Sequence, residues 1–337
     1  MNHLVGKKVE HDILNKYGVT IVPAQTILNR DAIKLLISQK IDINDIDFFI
    51  TTTDTNKTTQ SSEFIQQTVT KSKALFKSIR GSSKVPLMEI RKEILPAIHD
   101  ISRNPNVFEL VEAIKAKDDY TYQHNVGVGV LSTLIGRWMN MDESELSILS
   151  LAAILHDVGK IKIPIEILNK PGKLTDEEYK IVKGHTIFGY EMLKETTGLS
   201  LKVARVALQH HEREDGSGYP LGLKKENIDL FSSIVAVADV FHAMSSKRPY
   251  HEAMPFHEVI SQMEQGKFGG LNPQIVSLFI KNMMMRLIGK KVRLTDGREG
   301  EVLYLHPHFL ERPLIKIDDG FLDLSQEMNI HIKEIIM

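Results

Sequence analysis

The chain has 337 residues, of which 42% are hydrophobic and 25% are charged, and its 42 basic and 43 acidic side chains nearly cancel. This balance is typical of a globular protein and gives no indication of a nucleic-acid polymer or an anionic membrane as partner. Cysteine is absent, which excludes disulfides and thiolate metal sites, so a metal would have to be bound through nitrogen and oxygen.

The apolar runs of the chain are short. The first residues lack the apolar core of a signal peptide, and the runs Leu146–Leu155 and Ile275–Met285 are too short for a membrane span or carry Lys281. We therefore expect a cytoplasmic protein without membrane insertion.

Residues 1–50 are predicted to form a small N-terminal accessory domain of the α+β kind. A strand-like piece at Val19–Val22 precedes a helical pattern over Asp31–Gln39. Residues 51–104 then predict a polar linker with connecting helices. The linker or exposed loop is placed at Thr51–Ser62, and amphipathic helix is expected over Phe64–Ile101, with an interruption near Gly81 to Pro86.

Residues 105–287 have helical periodicity almost throughout, which predicts an all-α domain. Two helix starts are explicit. Thr175 and Glu178 have the spacing of a capping box, and Asn272 followed by Pro273 is typical of an N-cap with proline at the first helical position. Residues 288–337 change to short alternating runs separated by turn residues, which predicts a small C-terminal β domain with strands at Lys291–Leu294, Gly300–Leu305, Leu314–Ile317 and Ile330–Ile335. The fold class is therefore mainly α.

Seven side chains of the helical domain are candidate metal ligands: His124, His156, Asp157, His185, His210, His211 and Asp239. Taken singly, a helix histidine is usually a surface residue or a satisfied core residue. The surroundings favour a metal site, because Asp239 lies inside the apolar run Ile234–Phe241, where an unpaired carboxylate would be costly to bury. A cation is the natural compensation.

Asp157 is the best candidate to bridge two cations, since it follows a histidine and offers two oxygens. Two metals can hold a hydroxide nucleophile and stabilise phosphoryl oxygens during an in-line displacement of a phosphodiester. Lys160 could neutralise the charge that develops on the phosphate. The loop Asp215–Pro220 cannot continue a helix, and on composition alone an ordinary turn is the favoured interpretation.

Three segments resemble the HD-GYP subgroup of the HD-domain phosphohydrolases: His156-Asp-Val-Gly-Lys160, His210-His-Glu-Arg-Glu-Asp-Gly-Ser-Gly-Tyr-Pro220 and Asp239-Val-Phe-His-Ala-Met-Ser-Ser-Lys-Arg-Pro-Tyr250. The segments Tyr120–His124 and His185–Gly189 occur in the expected order, and the likeness covers roughly residues 105–285. The resemblance implies a helical domain that binds two, sometimes three, iron or manganese ions and hydrolyses cyclic di-GMP.

The resemblance also assigns roles to residues. It implies one metal held by His124, His156, Asp157 and Asp239, and the other by Asp157, His185, His210 and His211. Asp157 and Lys160 are the expected catalytic residues. Lys160 and Arg248 would contact the substrate phosphates, while Gly218, Tyr219 and Pro220 would shape a loop near the pocket or a docking surface for a signalling partner.

Three positions depart from the pattern of the subgroup. Tyr120 stands where members with a third metal carry Glu, which predicts two divalent metal ions. His251 stands where a basic substrate-binding residue is common, which implies a weaker or pH-dependent grip on the substrate. His242 replaces a common Asp, and none of these changes removes an expected ligand.

The expected function is therefore hydrolysis of one 3′,5′ linkage of cyclic di-GMP to pGpG, with slow onward cleavage to GMP also considered. Two alternatives are kept: an HD phosphohydrolase acting on another nucleotide, and a cyclic di-GMP sensor or scaffold with little catalysis. An apolar face on the helix Phe64–Ile79 would suit a homodimer, although core packing is the commoner use of such a face.

Overall fold

The structure is a computed structural model that describes residues 8–9, 13–14, 20–23, 26, 28, 32–33, 36, 48–49, 55–104, 106–115, 120–246, 253–267, 269–306, 309–318 and 320–336. The chain divides into two compact units, residues 1–58 and residues 59–337. The division falls in the segment predicted as a linker, and the finer four-domain organisation stays a prediction.

The first unit contains short antiparallel strand pairs. Strand β1 (Lys8–Val9) pairs with β4 (Phe48–Phe49), and β2 (Ile13–Leu14) pairs with β3 (Thr20–Val22). Strand β3 lies within the strand-like piece predicted at Val19–Val22. Of the predicted helix, residues 32, 33 and 36 are described, and they are helical. The α+β character of the whole segment stays a prediction.

Helix α1 (Thr55–Ser82) begins within the segment predicted as a linker or exposed loop, and it corrects the loop interpretation for residues 55–62. Residues 55–62 are helical although they are strongly polar. They contain neither proline nor glycine, the residues that disfavour a helix most. The apolar stripe downstream stabilises the helix, and extending it over residues 55–62 costs only the modest helix propensities of Thr and Ser. That stripe consists of buried residues at helical spacing: Ile65, Val69, Ser72, Phe76 and Ile79.

The predicted interruption of the helical region is confirmed between α1 and α2. Helix α2 (Leu87–Glu89) continues through a π turn at Ile90–Ile94 into α3 (Leu95–Ile101). The helices that follow are α4 (Val107–Ile114), α5 (Tyr120–Trp138), α6 (Glu143–Leu155), α7 (Ile165–Leu168), α8 (Asp176–Lys183), α9 (His185–Lys194), α10 (Leu201–Gln209), α11 (Leu230–Ser245), α12 (Phe256–Glu264) and α13 (Pro273–Met285). Short 3₁₀ helices lie at Val158–Lys162 and Lys225–Asn227.

Side-chain caps set several of these helix starts. Thr175 and Glu178 form the predicted capping box of α8, and the Asn272 side chain accepts hydrogen bonds from the first turn of α13, as predicted. Asp229 caps α11 in the same way by accepting from the backbone N–H of Phe231. Helix α11 thus begins at a defined residue, which sets the positions of the side chains along it, including Asp239.

The core of the helical domain lies around α5, α6 and α11. Helix α11 is buried almost continuously from Phe231 to His242, and α5 is buried from Gln123 to Ile135. A helix that is buried on all sides must lie at the centre of its domain. Helix α5 packs against both α6 and α11, while α10 packs against α6 and α9. These contacts bring together the helices that carry the candidate ligands.

The C-terminal residues form a five-stranded antiparallel sheet in the order β8-β7-β6-β5-β9. Its strands are β5 (Lys291–Leu294), β6 (Glu299–His306), β7 (Phe309–Ile317), β8 (Gly320–Asp323) and β9 (Ile332–Ile336). The predicted strands are confirmed, but β8 was missed because Gly320 was assigned to a turn and the adjacent apolar residues Phe321 and Leu322 show no alternation. Buried residues of the sheet, such as Val292 and Ile315, belong to the same core as the helices.

Within the described residues, no helix combines the length and apolarity needed to cross a membrane.

Candidate metal centre

Asp157 lies at the middle of a buried cluster of imidazoles. It follows α6 and precedes the 3₁₀ helix at Val158–Lys162, so its carboxylate leaves the backbone at a sharp junction. Only 3% of Asp157 is exposed. Its two oxygens face different groups of side chains, which we call the Oδ2 group (His124, His156 and Asp239) and the Oδ1 group (His185, His210 and His211).

The Oδ2 group joins three helices that are distant in the sequence. The Nε2 atom of His156 lies 3.4 Å from Oδ2 of Asp157, and Nε2 of His124 lies 3.9 Å from the same oxygen. His124 also lies 3.1 Å from Oδ1 of Asp239, on α11. Since these atoms belong to α5, the end of α6 and α11, packing of the central helices is what assembles the group.

The Oδ1 group lies on the other side of the same carboxylate. The Nε2 atoms of His185 and His210 lie 3.2 Å and 3.8 Å from Oδ1 of Asp157. His211 completes the group, with one potential ligand atom from each of these four residues lying within 4.8 Å of the others. His211 also approaches Oδ2 of Asp239 to 4.0 Å, so the two groups meet there.

Three of the histidines are oriented by their own stretch of chain. The Nδ1 atom of His156 lies 2.6 Å from the carbonyl oxygen of Ala153. The Nδ1 atom of His185 lies 2.7 Å from the carbonyl oxygen of Val182. His210 reaches the carbonyl three residues earlier in the same way, at 3.1 Å. A carbonyl only accepts, so Nδ1 carries the proton and Nε2 presents a lone pair to the centre.

The two carboxyl groups of the centre are ionised although they are buried. Burial by itself would raise the pKa of Asp157, but the ammonium of Lys160 and the imidazole of His156 outweigh it and hold this pKa well below the usual value. Burial also opposes ionisation of Asp239, where contact with His124 holds the pKa well below its usual value.

The imidazoles respond to the same surroundings in different directions. Burial is the main cause that lowers the pKa of His124, and burial together with neighbouring His211 lowers the pKa of His210 well below its usual value. For His156, burial acts in the same sense, but the adjacent Asp157 carboxylate outweighs it and raises the pKa. Neutral imidazoles at His124 and His210 suit the binding of a cation.

Gly159 allows the 3₁₀ helix to lie directly against α9. A Cβ at this position would come 1.9 Å from the carbonyl oxygen of His185, a distance that no side chain tolerates. This contact holds His185 beside the carboxylate. One residue later, the ammonium of Lys160 forms an ion pair with Oδ2 of Asp157, and the Lys160 side chain is 28% exposed. Lys160 therefore lies between the buried centre and solvent.

The loop after α10 is attached to the Oδ1 group. The ring of Tyr219 stacks on His211 with centroids 4.6 Å apart, and the bond between Tyr219 and Pro220 is cis. Gly218 packs so closely that a Cβ would lie 2.5 Å from the carbonyl oxygen of His211. The predicted loop residues therefore contact a predicted ligand rather than a distant surface.

Sequence reasoning missed Glu212, which holds this loop. Glu212 is 3% exposed, and its carboxylate accepts hydrogen bonds from the backbone N–H groups of Leu221 (2.7 Å) and Leu223 (2.9 Å). Its position directly after two histidines and before a glycine-rich loop was the available signal. Neighbouring Arg213 donates to the carbonyl of Glu212 at 2.8 Å.

The structure thus brings together the seven candidate ligands and places Lys160, Gly218, Tyr219 and Pro220 beside them. Arg248 and His251 lie outside the described residues, as does the side chain of Tyr120. The roles of all these residues as ligands or substrate contacts stay predictions.

The donor set fits a divalent metal. Within the described part of the chain, the buried Oδ1 atom of Asp157 has no hydrogen-bond partner. The nearest nitrogen, Nε2 of His185, faces it with a lone pair because the ring proton is on Nδ1. An ionised oxygen surrounded by lone pairs is unfavourable unless a cation lies between them. Imidazole and carboxylate suit iron, manganese or zinc.

Residues 109–269 match the model of the HD domain family. The chain is 39% identical over 217 residues to a cyclic di-GMP phosphodiesterase of Pseudomonas aeruginosa, covering 64% of this chain and 52% of that protein. It is 43% identical over 180 residues to a cyclic di-GMP phosphodiesterase of Thermotoga maritima, covering 52% of this chain and 49% of that protein. A 3′3′-cGAMP-specific phosphodiesterase of Vibrio cholerae is 36% identical over 161 residues, covering 48% of this chain and 35% of that protein.

The matches therefore span about half the length of the first two relatives. Among solved structures, an HDG"Y"P protein of Bdellovibrio bacteriovorus superposes with a TM-score of 0.56 at 16% identity, covering 83% of this chain and 96% of that one. At this identity the likeness concerns the fold alone. The similarity to the HD domain family therefore concerns residues 109–269, which carry all seven candidate ligands.

Proposed function

We propose that the chain is a metal-dependent phosphodiesterase of the HD-GYP type, which hydrolyses one 3′,5′-phosphodiester bond of cyclic di-GMP to give pGpG. One observation carries the proposal: the two oxygens of a single buried carboxylate, Asp157, face two separate groups of imidazoles. The names of the relatives in Pseudomonas and Thermotoga support a cyclic dinucleotide as substrate.

Two divalent cations, iron or manganese, are the proposed cofactors. One would be held by His124, His156, Asp157 and Asp239, and the other by Asp157, His185, His210 and His211. When bound, such a pair supplies Lewis-acid stabilisation of the phosphoryl oxygens and lowers the pKa of water. The chain's part is to fix the spacing of the two cations through the shared carboxylate of Asp157.

Lys160 and the loop are the proposed substrate contacts. The ammonium of Lys160 reaches the edge of the centre, where it can move from Asp157 to a substrate phosphate and offset its charge. Tyr219, stacked on His211, forms one wall beside the centre, with Gly218 and Pro220 setting its position. Arg248 and His251 are further proposed phosphate contacts.

The test is turnover by protein purified without oxygen and loaded with Fe(II) or Mn(II). We expect cyclic di-GMP to be converted to pGpG, with any GMP appearing later. The matched control is Asp157→Ala prepared in parallel, which should give no product. Absence of turnover by the wild-type protein with either metal, under conditions in which the Thermotoga relative is active, would remove the proposal.

A second candidate substrate is 3′3′-cGAMP, because a relative in Vibrio cholerae with 36% identity is specific for it. Competition between the two cyclic dinucleotides at equal concentration decides between them, since the ratio of kcat/KM values measures discrimination. A larger kcat/KM for 3′3′-cGAMP would reassign the substrate while leaving the metal chemistry as proposed.

A sensor or scaffold is the alternative from another functional class. In that case the cellular response to cyclic di-GMP would survive the Asp157→Ala change, whereas hydrolysis requires the carboxylate. A signalling partner docking on the loop at residues 218–220 and a homodimer belong to the same proposal. Light-scattering mass measurements, with and without the dinucleotide, test the dimer.

A further inference from the structure

His124 differs from the other histidines of the centre in what holds its second ring nitrogen. His156, His185 and His210 lie at or next to helix ends and donate to a carbonyl of their own segment. His124 lies inside α5, where backbone carbonyls take part in the helix. Its Nδ1 instead lies 3.1 Å from Nδ1 of His242, a residue 118 positions later in the chain.

The proton positions of this histidine pair follow from the next contact. Nε2 of His242 lies 3.0 Å from the carbonyl oxygen of Ile114, the last residue of α4. The carbonyl only accepts, so this nitrogen carries a proton. A histidine that binds a metal through Nε2 carries its ring proton on Nδ1. In the metal-bound form Nδ1 of His124 therefore donates to Nδ1 of His242, whose own proton lies on Nε2.

This arrangement leaves the lone pair of His124 on Nε2, which points toward the two carboxylates of the centre. Nε2 lies 3.1 Å from Asp239 and 3.9 Å from Asp157. In the metal-free protein the Asp239 carboxylate favours a proton on Nε2, and a protonated Nε2 cannot bind a metal. The His242 acceptor offsets this preference, because it stabilises the proton on Nδ1 and leaves Nε2 available to a cation.

The surrounding helices are built to admit the His242 ring. A Cβ at Gly127, on α5, would lie 2.1 Å from Nε2 of His242. Glycine inside a helix lowers stability by roughly 0.5–1 kcal/mol relative to alanine. The space that Gly127 leaves for the His242 ring therefore reduces the stability of α5 by a measurable amount. His242 also lies three residues after Asp239 on α11, so one helix face presents the carboxylate to one side of His124 and the acceptor to the other.

We propose that His242 is a positioning residue, which fixes the tautomer and orientation of His124 so that Nε2 is presented to the cation of the Oδ2 group. The proposal deepens the function given above and rests on His124 being a metal ligand. It assigns a role to a position at which this chain departs from the Asp common in HD-GYP proteins.

The test compares His242→Leu, which removes the acceptor, with His242→Asn, whose side-chain oxygen can accept from Nδ1 of His124. Mn(II) binding to metal-free protein is measured by calorimetry. We expect His242→Leu to weaken one of two sites by about 10- to 100-fold, as typical for loss of a partner behind a ligating histidine, and to leave the other site unchanged. His242→Asn should recover most of the lost affinity.

The matched control is His99→Leu, which removes a mostly buried histidine that contacts Ser150 away from the centre. This variant should bind Mn(II) like the wild type. Gly127→Ala provides a second route, because its methyl group displaces the His242 ring without altering either imidazole. It should weaken the same single site while circular dichroism shows an intact helical fold.

A spectroscopic readout separates this proposal from the enzymatic one. In protein loaded with diamagnetic Zn(II) and labelled with ¹⁵N-histidine, the Nδ1 proton of His124 should be hydrogen-bonded to Nδ1 of His242 in the wild type, and this hydrogen bond should be absent in His242→Leu. This holds whether or not cyclic di-GMP is a substrate. Wild-type Mn(II) affinity in His242→Leu, absence of the hydrogen bond in the wild type, or the same loss in His242→Asn would each overturn the role of His242.

Discussion

The two sides of the Asp157 carboxylate are built in different ways. The Oδ1 group comes from α9 and the end of α10, and His185 and His210 are oriented by carbonyls within four residues of themselves. The Oδ2 group depends on helices far apart in the sequence, and Nδ1 of His124 contacts His242 on another helix. One side is thus set by local hydrogen bonds, whereas the other is set by packing.

A histidine at the end of a helix is well placed to act as a metal ligand. The last carbonyls of a helix lack intrahelical partners, so one of them can accept the ring proton and hold the other nitrogen toward a metal. A histidine in the middle of a helix has no such carbonyl. It must obtain its acceptor from elsewhere, at the cost of a close helix contact such as that of Gly127 with His242.

The largest effect is expected for Asp157→Ala, which removes the carboxylate that faces both groups. Metal analysis should show loss of both ions, and turnover should fall by more than the roughly 10²- to 10³-fold typical of losing one electrostatic stabiliser. Asp100→Ala, at an exposed carboxylate on α3, is the control and should retain both ions. Retention of either ion at full affinity in Asp157→Ala would contradict a bridging role.

Single-ligand changes test whether the two groups are separable. His210→Leu should remove the ion of the Oδ1 group, and His156→Leu that of the Oδ2 group, so each variant should bind one Mn(II) instead of two. Turnover should fall by more than about 100-fold in both variants. Losing a metal ligand lowers activity more than losing the residue that is hydrogen-bonded to that ligand. If either variant released both ions, the two groups would form one cooperative unit and would not be separable metal sites.

A smaller effect is expected for Glu212→Gln, which alters the loop on the Oδ1 side. An amide has one acceptor oxygen, whereas the Glu212 carboxylate accepts from Leu221 and Leu223. Leaving a backbone group unpaired costs about 1–3 kcal/mol, which should loosen the loop. We expect KM to rise with both metals retained, and Glu226→Gln on the neighbouring 3₁₀ helix to behave like the wild type. Loss of a metal in Glu212→Gln would show that the loop supports the centre itself.

The smallest effect concerns the pH dependence of stability in metal-free protein. The folded pKa of His210 lies well below its unfolded value near 6.5, so its contribution is present above pH 6.5 and is lost as the unfolded chain takes up the proton. His124 acts in the same direction. His156, whose pKa is raised, acts oppositely and contributes fully below pH 6.5.

We therefore expect the free energy of unfolding in urea to decrease as the pH falls from 7 to 5. His210→Leu should flatten this decrease, since one of the strongly lowered pKa values is removed. His156→Leu should instead make it steeper. A stability that rises on acidification in the wild type would show that the Asp157–His156 pair dominates over the buried imidazoles.

Much of the fold could be predicted because its signals are local. The capping box of Thr175 and Glu178 and the Asn272 cap depend on residues a turn apart, and both were visible in the sequence. The polar start of α1 was predicted wrongly, since polarity excludes burial but does not exclude helix. Strand β8 was missed because Gly320 was assigned to a turn and Phe321 and Leu322 are adjacent instead of alternating with polar residues.

By itself, the sequence determined which residue types are available at the centre: imidazoles and carboxylates at helix ends and in apolar runs, with no thiolate. Only the tertiary structure decided that Oδ1 and Oδ2 of Asp157 face different groups, that Glu212 holds the loop, and that His242 lies within hydrogen-bond distance of His124. Periodicity and caps arise from neighbours along the chain. The direction of a lone pair between residues 118 positions apart depends on how whole helices pack.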